Sequence, residues 1–252
     1  MENAEAMKVF MDIQSGLPRQ GPGSDEATRR ALIYCADLVS APKVLDIGCG
    51  PGRQTLVLAE ALRSSVTAVD IHQEYLDELE HAAIETQLKE FVAVERADMS
   101  DLPFAPQAFD LIWSEGAAYI MGVDQALREW RRLLTPDGYL VFSELIWLTD
   151  NPPKEAASFF DQEYPAMTDI NGTLQIIERA GYHCMEHFTL DDGCWWDDYY
   201  SPLEAKLPAL REKYKNNADA LAIVEMTAQE ISMRKAHGEA YGYEMFVLRA
   251  ES

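Results

Sequence analysis

The sequence predicts an α/β fold: a mostly parallel, doubly wound sheet with helices on both faces. Three observations predict it. The run Val44-Leu-Asp-Ile-Gly-Cys-Gly-Pro-Gly52 reads in order as a strand ending in an acid, a tight turn and a helix start. Apolar strand-like runs then alternate with segments of helical period. Residues 109–114 are short and largely apolar, as a strand buried on both faces should be.

The elements follow along the chain. Residues 43–48 are the first strand and 54–62 its helix. Residues 65–70 form a strand ending in Asp70, and 73–85 a helix with Tyr75, Leu76 and Leu79 inward. Strands over 91–97 and 109–114 come next. Val123, Ala126, Leu127, Trp130, Leu133 and Leu134 recur at helical spacing. Thr135-Pro-Asp-Gly138 stops that helix, and 139–145 is the fifth strand. Leu174, Ile177 and Ala180 mark a helix ended by Gly181, and 183–190 and 241–249 are the last two strands.

Two segments break the alternation, 147–170 and 191–238. Both should emerge near the end of the sheet where open α/β folds bind ligands. With the N-terminal arm, residues 1–40, they are expected to cap a pocket; the alternative is a packing or dimerisation appendage, which leaves a homodimer open. Residues 43–145 are the ligand-binding half, and 1–252 are read as a single domain.

Hydrophobic residues make up 48% of the chain, enough for a sizeable core. No apolar run approaches the ~20 residues that span a bilayer, so no membrane partner is expected. The opening Met-Glu-Asn-Ala-Glu-Ala-Met lacks a basic segment followed by an apolar one, so no signal peptide is expected. Cys35, Cys49, Cys184 and Cys194 have no paired spacing, which fits free thiols in a reducing cytoplasm. The net charge of −22 repels phosphate backbones, and no basic cluster with interleaved aromatics offsets it, so nucleic acid is not expected as a partner.

In the glycine-rich turn, Gly48, Gly50 and Gly52 let a ligand touch bare backbone. A nucleoside-containing cofactor is the expected guest. The dinucleotide fingerprint Gly-x-Gly-x-x-Gly would need glycine at 53, where the chain has Arg53. Asp70 ends the second strand and suits a ribose, a feature shared with dinucleotide folds. Ala97-Asp98-Met99 ends the third strand with an acid for an adenine amine and an apolar neighbour for the ring.

The spacing of this turn resembles motif I of the class I S-adenosylmethionine-dependent methyltransferases. Asp101-Leu-Pro-Phe-Ala-Pro-Gln-Ala-Phe-Asp110, leading into Leu111-Ile-Trp-Ser114, is similar to motifs II to IV of that family. Leu134-Thr-Pro-Asp-Gly-Tyr-Leu140 is similar to its Leu-x-Pro-Gly-Gly segment, with Asp137 at the usual first glycine. Arg19-Gln-Gly-Pro-Gly-Ser24, Trp113-Ser-Glu-Gly-Ala117 and the segment Trp195 to Pro202 resemble a group of bacterial small-molecule methyltransferases. The resemblance implies a Rossmann-like fold of seven strands in the order 3-2-1-4-5-7-6 and S-adenosyl-L-methionine as cofactor.

It also implies roles. Asp46 sits beneath the turn; Gly48, Gly50 and Gly52 line the methionine and ribose, with Gln54 and Thr55 beside them. Asp70 takes the ribose, Ile71 packs on adenine, and Asp98 and Met99 hold its edge. Ser114 and Glu115 receive the cofactor's amino group, and Gln20 and Gly21 fold over as a lid. The reaction expected is in-line methyl transfer to a small-molecule acceptor, an amine ranked ahead of a hydroxyl or a thiol. A non-catalytic cofactor-binding regulator and a nucleotide-dependent oxidoreductase are the alternatives.

A protonated acceptor needs a base, for which Glu115, Tyr119 and Glu144 are candidates. Trp195, Trp196, Tyr199 and Tyr200, with Trp147 and Tyr243, could form an aromatic cage for a cation; the other reading is that they pack the cap. His183-Cys-Met-Glu-His187 has the spacing of an inverted zinc site, but that chemistry needs a helix and this segment reads as a strand, so no metal is expected. Asn151-Pro-Pro-Lys154 follows the wrong strand for an amide or nucleobase methylation motif and lacks its aromatic ring. His72 and His81 are expected to be solvated.

Overall fold

A computed structural model describes residues 3–251. Seven strands form one sheet in the order β3-β2-β1-β4-β5-β7-β6. They are β1 Val44–Ile47, β2 Val66–Asp70, β3 Val92–Arg96, β4 Phe109–Glu115, β5 Leu134–Trp147, β6 Tyr182–Thr189 and β7 Tyr241–Ala250. The first five pair in parallel; β7 runs antiparallel between β5 and β6. The order is the one expected.

Why the strands look as they do follows from their neighbours. β1 is central, and all four of its residues are buried: three are apolar and the fourth is Asp46. β3 is an edge strand and leaves Glu95 and Arg96 exposed. β5 begins at Leu134, ahead of the expected residue 139, because Leu134 pairs with Phe109 before a register shift brings Tyr139 against Leu111. Within that irregularity Asp137 has φ +61°, in the left-handed region. That is the conformation a glycine supplies freely and an aspartate tolerates.

Helices sandwich the sheet. On one face α2 (Asp25–Ile33), α3 (Arg53–Leu62) and α4 (Gln73–Glu85) bury Ala31, Leu58 and Leu79 against Val66, Trp113 and Val247. On the other, α5 (Val123–Arg131) and α7 (Ile170–Arg179) bury Leu127, Trp130 and Ile177 against Leu45, Ile112 and Phe246. Each buried leucine, isoleucine, valine or phenylalanine among them contributes roughly 1.5–3 kcal/mol by leaving water.

A third apolar cluster lies apart from these two. It joins α1 (Asn3–Gln14), α6 (Lys154–Glu163), α8 (Gly193–Trp195), the π-helical turn Trp196–Tyr200, α9 (Ser201–Tyr214) and α10 (Ala218–His237). Trp195, Tyr200 and Tyr241 are at most 2% exposed at its centre. Parts of 1–17, 147–170 and 191–238 therefore share a core of their own, while α2, also within 1–40, packs on the sheet. Among the described residues no helix is long and apolar enough to cross a membrane.

Candidate active site

The site is built on the β1–α3 turn. The amides of Gly48 and Cys49 both donate to the Val69 carbonyl at 2.9 Å, which pins the turn to β2. The Gly50 amide donates to Asp70 Oδ2 and the His72 amide to Asp70 Oδ1, each at 2.9 Å. The Gly52 amide donates to the Cys49 carbonyl at 3.0 Å. Beneath lies Asp46, fully buried, accepting from the Thr55 hydroxyl at 2.5 Å and from Gln54 Nε2 at 3.4 Å. Burial is the leading cause that pushes its carboxyl up to about 7, with Thr55 and Gln54 opposing.

A cavity of about 340 Å³ opens over this turn. Gly48, Gly50, Asp70, Ile71, Asp98 and Met99 form its floor and far wall. Phe10, His72 and Tyr75 form an aromatic edge, with ring centroids 6.3 Å and 5.5 Å apart in sequence. The loop residues Arg19 to Pro22 close the top. Gln20 is stitched down from two sides: its Nε2 donates to the Gln14 carbonyl at 3.2 Å, and its Oε1 accepts from the Tyr75 hydroxyl at 3.1 Å.

The same loop is anchored electrostatically. Arg19 is 4% exposed and reaches Glu115 at 3.1 Å and Asp25 at 3.0 Å. Asp25 also accepts two bonds from Arg53 at 2.9 Å; burial works against its ionisation, but these guanidinium contacts hold it below the usual carboxylate range. Glu115 accepts further bonds from Thr28 at 2.7 Å and from Trp113 Nε1 at 2.9 Å.

These features suit a single nucleoside. A Cβ on Gly48 would stand 2.6 Å from the Ala117 Cβ, so the cradle exists because that side chain is missing. The turn's amides at 48, 49, 50 and 52 are all bonded within the protein, one of them to a carboxylate that faces the cavity. A pyrophosphate would want those amides free and no acid beside them.

Residues 45–142 match a family model described as a methyltransferase domain. The chain is 31% identical to methyltransferase GfsG of Streptomyces halstedii over 48% of this chain and 44% of that protein. It is 26% identical to phosphoethanolamine N-methyltransferase 1 of Triticum aestivum over 62% of this chain and 31% of that one. The chain thus spans less than half the length of these curated relatives. A methyltransferase from Geobacter sulfurreducens, solved with S-adenosyl-L-homocysteine, superposes with a TM-score of 0.81 at 20% identity, covering 97% of this chain and 98% of its own.

The fold is that of the class I S-adenosylmethionine-dependent methyltransferases.

Within this methyltransferase fold the expected residues divide. Gln20, Gly21, Gly48, Gly50, Gln54, Asp70, Ile71, Asp98, Met99, Glu115 and Tyr119 all line the cavity. Asp46, Thr55 and Ser114 do not; Asp46 and Thr55 bond each other under the turn, and the Ser114 hydroxyl donates to the Ile47 carbonyl at 2.9 Å. Gly52 is also outside the lining. Its Cβ would fall 2.3 Å from Leu79 Cδ1, so that glycine serves helix packing.

Three further corrections concern chemistry. Glu115 accepts three side-chain hydrogen bonds, one from a buried guanidinium, which makes it an anchor and not a free base. Trp147, Trp195, Trp196, Tyr199, Tyr200 and Tyr243 lie outside the cavity lining, in or against the helical core. The face of Trp195 is already covered by Arg234, 4.0 Å from the ring centroid. His72, expected in solvent, is part of the cavity edge.

The sequence reading missed Phe10, Tyr75 as a hydroxyl donor, and Arg19. For Arg19 the signal was a lone arginine beside Gln20 in the lid segment. For Phe10 the sequence carried none.

Proposed function

We propose that this chain transfers a methyl group from S-adenosyl-L-methionine to a small-molecule acceptor, an amine ahead of a hydroxyl or a thiol. The observation that carries the reading is the bare turn at Gly48 and Gly50 with the Asp70 carboxylate held beside it by two backbone amides. The match of residues 45–142 to a methyltransferase domain supports it.

When bound, the cofactor supplies an electrophilic methyl group on a sulfonium. Asp70 would accept from the ribose hydroxyls with its spare lone pairs. Ile71 and Met99 would flank the adenine, and Asp98, exposed and held below the usual carboxylate range by the Ser100 hydroxyl and amide, would accept from its amine. The tip of β4, from Glu115 to Ala117, would border the methionine portion. Residues that stabilise a cation at the sulfur would not speed such a transfer, because that charge would be weaker in the transition state than in the bound ground state. The residues' contribution is alignment and exclusion of water, and the Arg19–Glu115 anchor with Gln20 provides the closure.

On this reading 1–252 act as one domain, with 1–40 as lid and the helical layer from 147–170 and 191–238 as cap; that layer as a homodimer surface is the alternative use. A net charge of −22 disfavours nucleic acid and anionic membrane surfaces as partners. Four cysteines without a disulfide fit the cytoplasm.

A product screen with isotopically labelled S-adenosylmethionine and a panel of amines, alcohols and thiols tests the proposal. Label in an amine product is the expected result. Tight cofactor binding with no turnover across the panel would favour a regulator.

A further inference from the structure

A second hollow, about 590 Å³ in volume, lies between α6 and α10 and shares no lining residue with the cofactor cavity. Methyl transfer makes no use of it. Two helix faces enclose it. On α6, Glu155, Phe159 and Glu163 recur every four residues and so stack on one side of the helix. On α10, Ala222, Met226 and Met233 do the same at spacings of four and seven. At about 1.5 Å per residue the lined stretches run about 12 Å along α6 and about 17 Å along α10. The result is a groove roughly two to three helical turns long.

Its floor is apolar and adaptable. Met233 is 5% exposed at the base, Phe159 is half-buried, and Met226 is 48% exposed. An unbranched thioether moulds itself to varied apolar partners. The rim is acidic. Glu155, Glu163 and Glu225 border the groove, and no lysine or arginine lines it. Glu225 accepts two bonds from Arg211, at 2.7 and 2.8 Å, and Glu155 meets His237 at 3.1 Å. Glu163 is exposed.

Charge decides the occupant. The chain carries −22, so a second copy would bring the same sign to an acidic rim. A partner with an apolar stripe flanked by cations satisfies floor and rim together. A helix sets such anchors at i, i+3 or i+4 and i+7, about 10 Å from end to end, which is within the length of the groove.

We propose that the α6–α10 groove docks a basic amphipathic helix of another protein, with its apolar stripe on Phe159, Met226 and Met233 and its lysines or arginines against Glu155, Glu163 and Glu225. This docking stands independently of the methyl-transfer reading.

The test is fluorescence anisotropy of the full chain with a labelled leucine–lysine amphipathic peptide of about 14 residues, ~21 Å as a helix, and with its leucine–glutamate counterpart. The expected result is one-to-one micromolar binding of the basic peptide, at least ~10-fold tighter than the acidic one. Met226→Lys and Glu163→Lys, both at exposed positions, should each weaken it at least ~10-fold. Met185→Lys adds a lysine at an exposed methionine on β6, outside the groove, and should leave the affinity within about twofold. Equal losses in Met226→Lys and Met185→Lys would show charge attraction without a site and overturn the proposal. No binding of the basic peptide, or tighter binding of the acidic one, would overturn it as well. A dimer in solution that Met226→Lys dissociates would give the groove to a second copy and also overturn it.

Discussion

Arg19, in the loop after α1, and Glu115, at the tip of β4, form a 3.1 Å ion pair in which both side chains are withdrawn from water, at 4% and 6% exposure. The pair fastens the loop carrying Gln20 across the mouth of the cavity. Removing one member of such a pair leaves a buried charge, at a cost of about 3–5 kcal/mol. Arg19→Met should therefore lower the melting temperature and weaken S-adenosyl-L-homocysteine binding. Arg19→Met with Glu115→Gln should recover most of the melting temperature while binding stays weak. Calorimetry and thermal melts of the three proteins check this; full recovery of binding in the double variant would contradict the closure role.

Asp70 holds the turn through Gly50 and offers its remaining lone pairs to the cavity. Hydrogen bonds to a charged group contribute about 1.5–3 kcal/mol, so Asp70→Ala should weaken S-adenosyl-L-homocysteine by roughly 10- to 150-fold. The domain should still melt cooperatively. An unchanged dissociation constant would refute the ribose assignment.

Gly52 separates packing from binding. With φ +80° and a Cβ destined to lie 2.3 Å from Leu79, Gly52→Ala should cost about 2–3 kcal/mol of stability. Adding Leu79→Ala should return part of it, since the clash is with that side chain. Denaturant midpoints of both variants decide this. A Gly52→Ala protein as stable as the parent would show that the turn yields more easily than its geometry implies.

Glu144 gives stability a pH dependence of known sign. Burial lifts its carboxyl from the ordinary 4.5 to about 7. Between those values the folded chain keeps a proton that the unfolded chain has lost, so stability falls as pH rises through this window. Glu144→Gln removes that loss. Its melting temperature should exceed the parent's by about 10 °C at pH 8 and match it near pH 4, a shift worth roughly 3 kcal/mol. Equal melting temperatures at pH 8 would mean that the carboxyl is hydrated.

The division between what the sequence reveals and what it hides follows from the range of the contacts. The floor of the cavity was legible because Gly48 and Gly50 do their work within one strand–turn–helix unit, where local backbone demands fix residue type, and Asp70 ends the next strand; the sheet order came with the family resemblance. Gly52 sits in the same motif but is glycine because of Leu79, a contact from another helix. The aromatic run from Trp195 to Tyr200 announced large rings without saying which way they face. Arg234, far along the chain, occupies the ring that a substrate cation would have used. Glu115 and Glu144 look equivalent as acids at strand ends. Their difference comes from Arg19, Thr28 and Trp113, three donors that converge on one carboxylate and leave the other bare.

The most direct test of the central claim is a parallel calorimetric titration of the full chain with S-adenosyl-L-homocysteine and with NAD. The account predicts one-to-one micromolar binding of the first, lost in Asp70→Ala, and no heat from the second. Saturable binding of NAD, or no binding of S-adenosyl-L-homocysteine, would contradict it.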